Sequence, residues 1–170
     1  MNSEQLKAKQ APLKARYKEE PQAAQVTLKA SGTLGMDNIT CDVATPAGVI
    51  AAGLHPLAGG QVEWACSGEM LLQSLVACAG VTLKAVATAL EIPLRGGRVT
   101  AEGDMDFRGT LGVSKETPIG LQQIRLRFEL DSDATPEQQQ KLLALTERFC
   151  VIYQTLKKPP AISVDHEAVQ

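Results

Sequence analysis

The sequence predicts an α+β fold, with antiparallel β-hairpins around two central helices in the order β-β-β-α-β-β-α-β. Three observations predict it. A long run of helix formers at 66–90 is apolar on most of its circumference. Segments before and after it alternate apolar and polar residues, the period of a half-buried strand. A second helix near the C-terminus opens on a complete capping signal. No internal repeat or linker divides the chain. We read 1–22 as an N-terminal arm, 23–165 as one domain and 166–170 as a tail.

The arm comes first. Residues 4–20 are charged and mildly helical, punctuated by Pro12 and Pro21. They read as a surface helix or a free arm. In Gln25–Ala30, Val26, Leu28 and Ala30 alternate with Gln25, Thr27 and Lys29, which predicts a strand. A Gly-rich turn, 31–38, leads to a second strand in which Ile39, Cys41 and Val43 share a face, so the pair reads as a hairpin. On that face Cys41 is expected in the core. Gly48–Ala52 is a third, shorter strand, and 54–60 a loop.

Ser67 is a good cap for the central helix, with Gly68 at its first position and Glu69 in its first turn. Leu71, Leu72, Leu75, Val76, Val81, Leu83, Val86 and Leu90 cover most sides, which predicts a buried helix. Pro93 ends it. One line differs: Ser74, Cys78 and Thr82 fall one turn apart on one side. Such a line reads either as a buried thiol with hydroxyls bonded back to the helix or as the start of a site.

Beyond Gly96-Gly97, Val99 to Phe107 alternates apolar with polar residues, and Ile124 to Leu130 does the same. These make a second hairpin, with Arg125 and Arg127 set to meet the acidic residues across it. The intervening loop, 109–123, is long. Thr135, Pro136 and Gln138 start the second helix. It runs to Cys150 and on towards Leu156, with Leu143, Thr146 and Cys150 on one face. Pro159-Pro160 closes it, and Ala161–Val164 reads as a last strand.

Composition excludes several classes. Charged residues are 21%, net charge is -2 and the pI about 5.7, so there is no nucleic-acid footprint. Lys84, Gln73 and several hydroxyls interrupt 70–90 as a membrane span, so no membrane partner is expected. Residues 2–10 are polar, without an apolar signal core. Cys41, Cys66, Cys78 and Cys150 form no C-x-x-C pair, and with only His55 and His166 no zinc spacing arises. No phosphate-loop pattern is present. We expect cytoplasmic thiols and neither metal nor cofactor.

Two stretches carry a more specific signal. S-G-E-M-L-L-Q-S-L-V-A-C at 67–78 and L-T-E-R-F-C-V-I-Y-Q-T-L-K-K-P-P-A-I-S-V at 145–164 resemble the two cysteine helices of the OsmC/Ohr family. That family comprises the osmotically inducible and organic hydroperoxide resistance proteins. The resemblance covers about 23–165. It implies an intertwined homodimer and thiol-dependent reduction of organic hydroperoxides. It further implies that Cys78 attacks the peroxide and becomes a sulfenic acid, that Cys150 resolves it as a disulfide, and that a dithiol reductant restores both.

The chain departs from Ohr at several points. Gly68 stands where Ohr has its Glu. Glu69, nine residues before Cys78, falls about half a turn away. The 31–38 loop lacks the Ohr Arg, and Val151 replaces the usual Pro. The resemblance is therefore to an OsmC-like branch rather than to Ohr itself. A cation for Cys78 would have to come from Arg16 in the arm, Lys115 in the long loop or Arg148 beside Cys150, with Arg16 preferred. Supporting roles are open for Glu69, Ser74 and Thr82. The competing reading is a non-catalytic dimer that binds an apolar or lipid-like molecule, or senses redox state.

Overall fold

The computed structural model describes residues 1–168. Its longest helix, α2 (Ser67–Ala89), buries Leu75, Ala79, Leu83 and Ala87, each four residues after the last. Four-residue spacing puts them on one stripe, and that stripe alone is covered within one chain. Leu71 and Val81 on other sides remain exposed, so the expected all-round burial is not met inside a single chain. The cap also differs from expectation. Cys66 occupies the N-cap position with extended backbone and no side-chain bond, and Ser67 is already helical. Cys66 belongs to a two-residue strand, and this pairing carries the chain straight into the helix.

The arm is helical. α1 (Ser3–Glu19) is capped by Asn2, whose side chain accepts from the Gln5 N–H while Gln5 bonds back to the Asn2 N–H. No residue of α1 is buried.

The first sheet has the order β1-β2-β3-β4, built from Gly32–Leu34, Thr40–Thr45, Gly48–Gly53 and Ala65–Cys66. The first hairpin therefore pairs 32–34 with 41–43 rather than using 25–30. Gln25–Ala30 is not a strand here. It is exposed along its whole length and pairs with no strand of its own chain. Cys41 is half-buried on β2 rather than core, and Ile39 beside it is exposed.

The second sheet pairs β5 (Gly96–Met105) with β6 (Leu121–Asp131) antiparallel, with a register shift between Gly103 and Met105. Arg125 bridges to Asp104 and Glu102 on β5, as expected. Arg127 does not reach across. Its register partner is Thr100, and it pairs with Glu129 on its own strand. β5 stops short of Phe107 because Asp106 caps a one-turn helix, α3 (Phe107–Thr110).

α4 (Pro136–Phe149) begins at the expected capping box of Thr135 and Gln138. It does not run on to Leu156. Cys150 leaves the helical region at φ -73°, ψ 109°, and α5 (Val151–Lys157) restarts at the next residue. Ala161–Val164 forms no strand and is exposed, so the expected last strand is absent. Of the 166–170 tail, residues 169–170 lie outside the described part.

One face of α2 thus meets the β5–β6 sheet, α4 and α5. Two packed clusters result. Leu83, Ala87, Ile92 and Leu142 form one, and Leu75, Ala79 and Cys150 the other. Phe128 touches both.

Candidate functional site

The second cluster contains two thiols. Cys78 projects from α2 after about three turns, and Cys150 sits at the α4–α5 break. The elements meet there because Leu75 and Ala79, flanking Cys78 on the buried stripe, pack against Cys150, Ile152 and Tyr153. The Cys150 residue is 1% exposed, while Cys78 is half-buried. The Cys150 side chain neighbours Cys78, and neither cysteine is in a disulfide.

The break at Cys150 decides the electrostatics. A restarted helix has first-turn N–H groups without helical partners. Burial opposes a charge on Cys78. The N–H groups of Ile152 and Val151, the Cys150 thiol and the Thr82 hydroxyl outweigh it, and together hold the Cys78 thiol below its ordinary value. Burial pushes the Cys150 thiol up, and the neighbouring Cys78 adds to that shift against the Tyr153 and Ile152 N–H groups. The pair is thus polarised. The two shifts run in opposite directions, so of the pair Cys78, the more accessible residue, ionises at the lower pH.

Thr82 joins this site, one turn beyond Cys78. Ser74, the third member of the predicted line, does not face the same use. Its hydroxyl donates to the Met70 carbonyl at 2.9 Å, closing a bond within its own helix. Glu69 is exposed and lines a hollow with Leu72, Val76 and Ala101, away from the thiol pair. Arg16 is ion-paired with Glu20 at 3.5 Å on the exposed arm. Lys115 is exposed in the long loop, and Arg148 lies over the Phe149 ring at 5.3 Å. Backbone N–H groups, rather than a side-chain cation, are what face the Cys78 sulfur.

The sequence reading missed those N–H donors. The available signal was the β-branched pair Val151-Ile152, weak helix formers directly after Cys150. Cys41 lies under Gly32, where an added Cβ would come within 2.6 Å of its Sγ. Cys66 caps α2. Neither reaches the pair. Among the described residues no three His, Cys, Asp or Glu side chains converge as metal ligands.

Residues 63–165 match the sequence model of the OsmC-like protein family. No curated protein matches by sequence. Among solved structures, an OsmC-like protein from Mycoplasma pneumoniae superposes with a TM-score of 0.65 at 18% identity, covering 79% of this chain and 90% of that one. An organic hydroperoxide resistance protein from Elizabethkingia anophelis gives 0.63 at 17%, covering 80% and 91%. An OsmC-like protein of unknown function from Vibrio cholerae gives 0.57 at 13%, covering 76% and 94%.

Proposed function

This chain belongs to the OsmC-like family, and from that premise we propose that it is a thiol peroxidase acting on organic hydroperoxides through Cys78 and Cys150. The observation that carries the reading is the polarised thiol pair. The thiol of its accessible member is held below its ordinary value, against burial, chiefly by backbone N–H groups, and its buried member lies beside it. Low pKa, accessibility and an adjacent resolving thiol are what a redox-active cysteine requires.

The chemistry follows from that arrangement. The Cys78 thiolate attacks the terminal oxygen of ROOH, an S–O bond forms and the O–O bond breaks. The alkoxide leaves and takes a proton to give ROH, and Cys78 becomes a sulfenic acid. Cys150 then attacks the Cys78 sulfur. An S–S bond forms, hydroxide leaves, and with the proton from Cys150 it departs as water. A dithiol returns two electrons, is itself oxidised to a disulfide, and releases both protein thiols. Such a cycle suits a cytoplasmic protein, where dithiol reductants keep cysteines reduced. The working unit is a homodimer.

The test is a thiol titration of the reduced full chain with cumene hydroperoxide. We expect rapid loss of two thiols per chain. In Cys150→Ser the reaction should stop at a sulfenic acid that dimedone traps, and Cys78→Ser should be inert. If wild-type thiol loss is no faster than that of free cysteine, the peroxidase reading fails, and the non-catalytic binding dimer takes its place.

A further inference from the structure

We propose that Gln154 and Tyr153 are positioning residues for Cys78, because both bond to Glu147 across the Cys150 break and so hold the first turn of α5 against the Cys78 thiol. The break sits at one backbone torsion. The φ of Cys150, -73°, is already helical, whereas its ψ is 109° in place of about -42°. A helix running through Cys150 would commit the Val151 N–H to the Glu147 carbonyl and the Ile152 N–H to the Arg148 carbonyl. Those two N–H groups are the ones that lower the Cys78 thiol. Helix carbonyls and the Cys78 sulfur therefore compete for the same donors, and the break settles the competition for the sulfur.

Glu147 is where the break is held. The last backbone bond of α4 runs from the Cys150 N–H to the Thr146 carbonyl at 2.9 Å, so Glu147 carries the first carbonyl that has lost its helical donor. The Gln154 side-chain amide donates to that carbonyl at 2.7 Å, in the place that the Val151 N–H would fill. Gln154 is itself fixed in α5, where its backbone N–H donates to the Cys150 carbonyl at 3.0 Å. The Glu147 carboxylate accepts from the Tyr153 hydroxyl at 2.9 Å. Tyr153 in turn packs against the cluster of Leu75, Ala79 and Cys150, and Lys157 lies over its ring at 5.5 Å. Adjacent residues of α5 thus hold the main chain and the side chain of one α4 residue. Beside Glu147 the Tyr153 hydroxyl is held above its ordinary value, so it stays a donor while Cys78 titrates. Every group of this clamp lies in one chain.

The proposal rests on Cys78 being the reacting thiol, but its test reads the acidity of that thiol and not peroxide reduction. The rate of Cys78 alkylation by iodoacetamide is followed in the full reduced chain, at pH values on both sides of the ordinary cysteine value of about 8.5. Gln154→Met and Tyr153→Phe remove one bond each and change no charge. We expect the rate at neutral pH to fall about threefold in each and further in the double variant, with the rate at high pH, where the thiolate is complete, unchanged. Glu147→Leu should slow it too, although loss of a negative charge alone would speed it. Glu147→Gln, which keeps an acceptor for Tyr153, should retain the wild-type profile. A double variant with the wild-type profile would overturn the proposal. So would a rate lowered equally at every pH, because access rather than acidity would then have changed. Urea unfolding shows which variants fold, and Tyr153→Phe, which loses one oxygen atom, decides alone if the others do not. A clamp confirmed in this way in a chain that does not consume cumene hydroperoxide would sink the peroxidase reading and leave the clamp standing.

Discussion

Cys150 breaks a helix without a glycine or a proline, and the restarted helix presents N–H groups that lower the Cys78 thiol below its ordinary value against the opposing effect of burial. Its backbone, at φ -73° and ψ 109°, is the conformation that a following proline favours. Val151 occupies the first helical position of α5, where proline is well tolerated. Val151→Pro should therefore fold normally while removing one N–H from the Cys78 sulfur. We expect the midpoint of Cys78 alkylation to move up in pH and the peroxide reaction at neutral pH to slow several-fold. In the wild type, alkylation of Cys78 should be half-maximal below the ordinary cysteine value of about 8.5, and that of Cys150 above it. The sign follows from the charge. Donors that stabilise the thiolate lower the pH at which it forms, and removing one raises it. Peptide-level mass spectrometry of pulse-alkylated protein reads both sites. An unmoved Cys78 midpoint in Val151→Pro would show that the Val151 N–H does not act on the sulfur. At this scale the sequence was only half legible. The two cysteines could be named from their motifs. The backbone donors beside Cys78 could not, because they carry no side-chain signature and the search for a cation pointed to Arg16, which is tied to Glu20.

Individual elements follow their local signals where those signals are complete. α4 starts where Thr135, Pro136 and Gln138 say it should, with the Thr135 Oγ1 accepting from the Gln138 N–H at 3.3 Å. Gln138 returns a bond to the Thr135 N–H at 2.9 Å. This helix carries Leu142 and Thr146, both fully covered, and delivers Cys150 to α2. Thr135→Ala should cost about 1 kcal/mol of stability, the usual worth of an N-cap side chain. A urea unfolding midpoint shifted down with unchanged slope is the expected result, and no shift would mean that tertiary packing alone holds the N-terminus of α4. The second hairpin was legible in its pairing and in the Arg125 bridges, but not in its register shift between Gly103 and Met105 or in Arg127, which pairs with Glu129 on its own strand. β1 was not. Gly32–Leu34 is too short for any period to show, and its glycine is needed because Cys41 fills the space a side chain would occupy. β4 was missed for the same reason of length.

Two segments alternate like strands and yet pair with nothing in their own chain, and this bears on the whole molecule. Val26 and Leu28 are 78% and 85% exposed, and Ile162 and Val164 88% and 92%. The period-two pattern predicted half-buried strands, whereas within one chain neither segment is a strand and the apolar side chains of both are exposed. Accessible area gives the scale of the deficit. A compact monomer of 18.1 kDa should expose about 8,100 Å², whereas this chain exposes 13271 Å². The excess, about 5,000 Å², exceeds what each partner covers in a large obligate dimer interface. The same excess includes the outward faces of α2 at Leu71 and Val81, which the all-round apolar pattern of that helix predicts should be covered. A second copy offers the same unpaired strands and the same bare helix face, and a two-fold arrangement satisfies both sets at once. We therefore expect an obligate homodimer. Light scattering at micromolar concentration should give twice 18.1 kDa, and the unfolding midpoint should rise with protein concentration, because dissociation and unfolding are then one equilibrium. Charged substitutions at Val26 and Leu28 together should lower that midpoint while leaving α1 and the thiol pair chemically unaltered. A folded, stable monomer at micromolar concentration would mean that these segments fold back onto their own sheets, and the area excess would then have to disappear within a single chain.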